Sequence, residues 1–544
     1  MLRDAAARTQ PLWQAILRIR DTRLAVLVGG ILLLSFLYKY VVGAAKFAAL
    51  SSSSLGYYLG LTLLLSAIAI AVWHRGAAYR DLWRPLRILM RGAGIVIFAQ
   101  IIFDAFYPSA WMSNLLIGVN PSVKILIGIA FVTGCVAMWK PSFLVPMGFA
   151  YIEFRYHTPN DYGLMRASAD FQTLNDAATF TAVSFLAWRT LEQHSRFLPK
   201  VIKSAICHSS SWITYQKLAW AIIVGAHAGN YFHSALAKMY VGGSDPFLWV
   251  FNNPTSRSIA IGLYRLNNPL AGWPGVVDAY NDILTYFVLP FNVTVLLLQL
   301  FAPFAVLNRR VLILFTIAFD LMHIGIYFSL GAFFFLWIAL NVIILLSLTA
   351  MRDDELTPAV KISAILVALF GYLSFVTAGL GWLDGRKVVR QLFFAELADG
   401  RKALVPPATF GFVSYQMAHG DLFIPDNHFL MRSGGNATVA DWADATNCGP
   451  ATVPRQVHVR SIDSIAGLVR ASDEFYRRHA WIKDLKLYYL YPHHAPSNPV
   501  FFKIYDDADI ADIIGYSYVV ESSCLDVREG RLQNDVRVRS EFEL

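Results

Sequence analysis

The sequence predicts a polytopic α-helical membrane protein of about nine to eleven spans, followed by a C-terminal extracytoplasmic α+β domain. Three observations carry this. Hydrophobic residues make up 56% of the 544 and charged residues only 15%, whereas soluble domains carry about a quarter charged residues. Apolar runs of spanning length recur near 24–45, 55–73, 88–107, 123–139, 217–238, 283–306, 311–330, 333–350 and 361–382. From Asp384 the composition changes to that of a soluble domain.

The order of elements follows from these runs. Residues 1–23 form a basic leader, and residues 24–383 the transmembrane helical domain. The leader is long and the apolar run beginning at Leu24 outlasts a usual signal core, which favours an uncleaved first span. Two weaker stretches, 142–152 and 177–188, are short for spans. Basic loops set the orientation: His74-Arg75 with Arg80, Arg84 and Arg87; Arg189 to Lys217; and Arg309-Arg310. Placed in the cytoplasm, they put the N-terminus there too. The two weak stretches must then cross twice, either as two short helices or as a re-entrant pair shielded by protein. The loop from Tyr240 to Asp282 and everything after Trp382 fall outside. The expectation is an integral protein of a bacterial inner membrane with a periplasmic C-terminal domain.

Rich in Gly, Pro, Asn and aromatics, the 240–282 loop suits a structured cap better than a linker. In residues 384–544, Asp399-Gly400 reads as a hairpin turn between strands. Ser461 to Lys483 has helical apolar spacing, and KLYYLYP and VFFKIYDD read as strands.

The net charge of +9 does not imply nucleic acid, because the excess sits in short loops that the positive-inside rule explains. Four cysteines give neither metal spacing nor a disulfide framework, although Cys448 and Cys524 share the polar region and pair if it is extracytoplasmic. No phosphate loop, dinucleotide glycine pattern, HExxH or Gly-x-Ser-x-Gly elbow occurs.

The richest chemistry lies in WAIIVGAHAGNYFHSALAKM, Trp220 to Met239. At about 100° per residue His227, Tyr231, Ser234 and Lys238 fall on one helical face. Ionisable groups inside a bilayer line a bundle interior or a wet cavity; a lysine snorkelling from the helix end is the plain alternative. A desolvated lysine serves as a general base, with His227 as relay and Tyr231 orienting a ligand. A second face holds Asp320, His323 and Tyr327, where the carboxylate partners the imidazole one turn on. Asp104 reads as exposed at an interface, and Glu153, Arg155 and His157 as a solvated segment. His493-His494 with Asp506-Asp507 lacks ligand spacing, so no metal site is assigned.

YFHSALAKM (Tyr231 to Met239), the aromatic loop after it and FDLMHIGIYFSLGAFFFLWIAL (Phe319 to Leu340) resemble the horizontally transferred transmembrane (HTTM) family, whose membrane domain is shared with vitamin K-dependent γ-glutamyl carboxylase. The resemblance covers roughly residues 85–350. It implies that Lys238 matches the base that deprotonates vitamin K hydroquinone, that the Trp220–Lys238 helix lines a quinol pocket, and that the chemistry is carboxylase-like. The family's doubled lysine is Ala237-Lys238 here, and Asp320 stands near the place of its histidine, with His323 displaced by about a turn.

The functional expectation is a membrane-embedded enzyme. It uses Lys238, His227, His323 and Asp320 as catalytic groups and Tyr231, Ser234 and Tyr327 to bind a reduced, vitamin K-like quinone or a lipid. Membrane lipids are its partners, and the C-terminal domain presents a protein or peptide substrate. The alternatives are a proton-coupled transporter or lipid-binding membrane protein without catalysis, with Asp320, His323 and Lys238 as relay, and a scaffold whose polar face only packs helices.

Overall fold

The computed structural model describes residues 22–50, 54–106, 122–157, 169–411, 417, 448, 461–490, 494–528 and 531–544. Helices dominate it. The first group comprises α1 (Thr22–Leu50), α2 (Ser54–Trp73), α3 (Arg84–Phe106), α4 (Ser122–Ala137), α5 (Leu144–His157) and α6 (Ala169–Gln193). A short α7 (Lys200–Ile206) leads into α8 (Ser211–Val241), the longest helix, which runs through the interior. Its apolar residues meet those of α3, α6 and the later helices in one core that includes Leu89, Ala93, Phe180, Trp220 and Ile344.

The loop after α8 is structured, as its composition suggested. It holds α9 (Leu248–Asn252), α10 (Arg257–Tyr264) and α11 (Pro274–Tyr286). Then come α12 (Val288–Leu300), α13 (Ala302–Ala305), α14 (Arg309–Leu330), α15 (Phe335–Thr349) and α16 (Pro358–Phe370). Gly331, in the left-handed region at φ 77°, ends α14, a conformation glycine adopts without strain.

Among the described residues three helices are long and apolar enough to cross a membrane: Thr22–Ala48, Arg84–Ala105 and Arg309–Leu330. A fourth is added if the bent pair α11 and α12 counts as one span. The other expected runs include shorter apolar helices, Tyr58–Trp73, Ile125–Ala137 and Phe335–Thr349.

Several expectations are corrected. The weak stretch 142–152 falls largely in the short α5, as one of the two alternatives had it, whereas 177–188 is only the middle of the longer α6. Asp104 is not exposed: it accepts from Tyr151 Oη (2.6 Å) and Arg155 Nη2 (3.3 Å) in the interior. Glu153 and Arg155 are buried on α5 rather than solvated; the side chain of His157 lies outside the described residues. For Asp104 and Arg155 the physical reason is pairing, since a charge enters an apolar interior with its counter-charge and hydrogen bonds.

The expected run 361–382 is helical only to Phe370, followed by a single 3-10 turn, Gly371–Leu373. The chain then continues in irregular form alongside α8, in the direction α16 already runs. Side chains one turn apart on α8 satisfy its backbone. Ala378 N–H donates to Asn230 Oδ1 (2.7 Å), and Leu380 N–H to Ser234 Oγ (3.2 Å). Lys238 Nζ donates to the Leu380 carbonyl (3.0 Å). Unpaired backbone is tolerated in an apolar setting only when protein shields it in this way.

The C-terminal domain carries one antiparallel sheet in the order β2-β1-β3-β4, from β1 (Lys387–Leu397), β2 (Lys402–Val405), β3 (Ile513–Arg528) and β4 (Arg531–Glu543). The turn at Asp399-Gly400 joins β1 to β2, with Gly400 at φ 84°. Against the sheet packs α17 (Ile462–Arg478), capped by Ser461 Oγ accepting from Ser464 N–H (3.2 Å), then α18 (Ala480–Asp484). The described residues of KLYYLYP, up to Leu490, and those of VFFKIYDD do not form the two expected strands. Leu487–Leu490 and Pro499–Phe501 are 3-10 turns, and α19 spans Lys503–Asp507. Tyr488 and Tyr489 both donate to Asp506; on a strand, neighbouring side chains point to opposite faces, so a turn wins. Cys448 and Cys524 form a disulfide.

This domain sits firmly on the helical part. Phe333 N–H donates to the His494 carbonyl (2.7 Å), Asn498 Nδ2 to the Asn268 carbonyl (2.7 Å), and Tyr264 Oη bonds Ser523 Oγ (2.5 Å).

Candidate functional site

A cavity of about 410 Å³ opens where α8, α10, α11, α12, α14 and α15 converge beneath the start of the C-terminal domain. Lys238 is 4% exposed and lines it with Asn230, Tyr231 and Ser234 of α8. The lysine does not snorkel outward. Its amine donates to Gln299 Oε1 (3.0 Å) and to the Leu380 carbonyl (3.0 Å), and lies 5.4 Å from the Trp249 ring. An ammonium over an aromatic face gains electrostatic attraction in a desolvated setting.

Asp384 lies at the same end, 3% exposed. Asn253 Nδ2 and Trp382 Nε1 each donate to its carboxylate at 2.9 Å, its own N–H donates to Asn253 Oδ1 (2.9 Å), and Arg257 Nη1 donates to its carbonyl (3.0 Å). Burial pushes its carboxyl up to about 6, against the opposing pull of those hydrogen bonds and of the Arg257 and Lys238 charges. Arg257 thus binds this aspartate through its backbone. Arg265 is not among the cavity residues.

On the opposite wall an asparagine organises the predicted polar groups. Asn341 of α15 is fully buried. Its Oδ1 accepts from His227 Nε2 (2.7 Å), and its Nδ2 donates to Tyr231 Oη (3.1 Å) and Asp320 Oδ1 (2.8 Å). All of its hydrogen-bonding capacity but one lone pair is used. Tyr231 stacks flat on Phe319 at 3.6 Å, and His323 stacks on Trp337 at 5.4 Å. The indole N–H of Trp337 has no acceptor among the described residues, and Trp337 lines the cavity.

The predicted residues thus separate. Lys238, Tyr231, Ser234 and His323 line the cavity. His227 and Asp320 stand behind it; both bond Asn341, which bonds the lining Tyr231, and the His227 ring also meets Tyr231 edge-on at 5.2 Å. Tyr327 is elsewhere, packed against Phe328 and Phe333. Asn341 joins His227, Tyr231 and Asp320 in one hydrogen-bonded cluster. Gln299, Asn341, Trp337 and Asp384 were missed. Gln299 and Asn341 are polar residues inside long apolar runs, and that was the available signal.

Most of the lining is apolar, with Leu284, Val295, Leu298, Met322, Ile326 and Leu330. At the mouth, Phe291 and Leu321 are 38% and 64% exposed. No three His, Cys, Asp or Glu side chains gather as a metal site among the described residues; His493 lies outside them, and His494 packs on Phe334. No protein-family model, no curated protein and no solved structure matches the chain.

Proposed function

We propose that the chain is a polytopic membrane enzyme of the HTTM type that takes a lipophilic quinol or another lipid sideways from the bilayer. Lys238 acts as base on the ligand's head group. The observation that carries this reading is a buried lysine at the polar end of a largely apolar cavity whose mouth is edged by exposed apolar side chains. Membrane ligands require that combination: an apolar path for the body and a desolvated polar terminus for the head. The Tyr231 hydroxyl and the Trp337 N–H offer donors to the oxygens of the head, and a neutral Lys238 amine offers its lone pair to the hydroxyl proton.

The base step is simple. A neutral Lys238 amine takes the hydroxyl proton of the quinol; the N–H bond forms as the O–H bond breaks, and the ammonium stays beside the new oxyanion. Tyr231, oriented by Asn341, stabilises that oxyanion by hydrogen bonding. His323 and the Asn341-linked Asp320 are the remaining acid–base groups on the α14 side. The basic loops then face the cytoplasm, and the C-terminal domain lies outside and presents a peptide or other substrate.

A second reading, ligand binding or transport without chemistry, is favoured by the irregular backbone at Ala378–Leu380 beside the cavity, a feature of transporter sites. One experiment separates them. Protein released from nanodiscs is examined by native mass spectrometry, and a naphthoquinol is added to it. Wild type retains an amphiphile and releases the quinol proton. Lys238→Met, which leaves folding unchanged by circular dichroism, loses proton release while Tyr231→Phe weakens retention. Retention with no quinol chemistry in wild type leaves the transport reading, and neither property in wild type removes both.

A further inference from the structure

The helix α11 is the least integrated element of the cavity wall. It joins α12 through Phe287 alone, and the two axes differ by 73°. Pro290 explains the bend: it has no N–H to donate to the carbonyl of Tyr286 four residues back, and its ring crowds that carbonyl. If α12 stands upright in a bilayer, α11 lies close to the membrane plane.

Its surface divides into three arcs. Val276, Ile283, Tyr286 and Phe287 cluster on one side at about 100° per residue, and all are about half exposed or more, Tyr286 at 85%. A second arc, Tyr280 and Leu284, faces the cavity. The third carries Asp278 and Asp282, both exposed. The exposed apolar arc runs on at Phe287 into exposed Leu289, Phe291 and Leu297 of α12, and lies beside exposed Leu314, Leu321 and Ile324 of the span-length helix α14. A band of this size has no place in water. Across the mouth α11 is held by one hydrogen bond, Tyr280 Oη to the Gly325 carbonyl (3.1 Å).

We propose that α11 lies in the membrane–water interface, its apolar arc set into the headgroup–acyl boundary of the lipid surface and its two aspartates in water, and that it forms the movable side door of the cavity. The inference rests on the membrane reading above. A helix with a well-separated apolar face and low net hydrophobicity lies in this plane rather than crossing. Phe287 is the hinge, and the Tyr280–Gly325 bond is the latch.

Spin labels test the seat in the full-length protein in phosphatidylglycerol–phosphatidylcholine nanodiscs, with Cys135 and Cys207 replaced by serine. Labels go at Ile283→Cys, Asp278→Cys and, as a reference, Leu314→Cys. The expected result is that the Leu314 position is accessible to oxygen, the Ile283 position sits at shallow interfacial depth, and the Asp278 position is accessible to an aqueous nickel chelate. Equal aqueous accessibility at 278 and 283, with 314 in lipid, overturns the inference and leaves the membrane reading standing; aqueous accessibility at all three sinks both. For the door, a flexible bifunctional thiol cross-linker between Tyr280→Cys and Gly325→Cys slows exchange of a pyrene-labelled fatty acid, and cleaving it restores the rate. Exchange that is unchanged by cross-linking overturns the door.

Discussion

The amine of Lys238 is defined by what holds it. A single long side chain satisfies a backbone carbonyl, an amide oxygen and an aromatic face, and still lines a cavity. Across from it Asp384 supplies the matching charge. Its carboxyl is raised to about 6, above the usual 3.8, because burial outweighs its hydrogen bonds. The sign of the pH effect follows. A carboxyl whose folded value is raised stabilises the fold fully below its unfolded value, and that contribution is lost as pH rises through the folded value. Wild type should therefore lose about 1–3 kcal/mol between pH 4 and 6 relative to Asp384→Asn, and nothing further from pH 6 to 8. Thermal unfolding of both proteins over that range checks this. A constant difference between them would show that the carboxyl is not held in its neutral form.

At the scale of elements, the packing of α8 against α16 fixes the cavity's back wall. Gly225 and Gly229 meet the backbone of Ala364 and Ala368 directly; a Cβ at Gly225 would stand 2.4 Å from the Ala364 carbonyl oxygen. Small residues four apart allow helices this approach. Gly225→Ala is expected to push the helices apart and destabilise by about 1–3 kcal/mol. Because α16 leads into the irregular segment at Ala378–Leu380, the same change should weaken ligand retention beyond what lost stability explains. Unfolding curves paired with retention at a temperature where both proteins are folded test this. Gly30→Ala, where nothing stands within 4 Å, is the control. The bend at Phe287 is the other defining element, and it makes α11 a wall rather than a span.

At the scale of the whole molecule, the helical body and the appended sheet domain were legible, and the path between them was not. Apolar run length locates helices well because burying backbone in apolar surroundings requires helix. The stop of α16 at Phe370 escaped that logic, since its continuation, GYLSFVTAGLGW, reads as an unbroken run without charge despite its three glycines. What unwinds it is the row Asn230, Ser234 and Lys238 on another helix, 140 residues away, supplying the hydrogen bonds a helix would have made internally. Ser234 and Lys238 were read with His227 and Tyr231 as a ligand-facing stripe; the two line the cavity and also brace backbone. Asp104 and Arg155 were misread for a similar reason. Each looks solvated alone, and only tertiary packing brings them to 3.3 Å. The hairpin at Asp399-Gly400 was legible because local turn chemistry decides it, whereas KLYYLYP was not, because Asp506 draws its tyrosines into a turn.

The central claim is that the cavity at Lys238 receives an amphiphile from the bilayer. The most direct measurement is photo-crosslinking of a short-chain naphthoquinone that carries a diazirine near its ring, in nanodiscs, with the modified peptides sequenced. The account predicts labels concentrated on Tyr231, Met322 and Trp337, lost in Lys238→Met and displaced by unlabelled quinone. Labels spread over the exposed faces of α1 and α14, equal in wild type and variant, would contradict it.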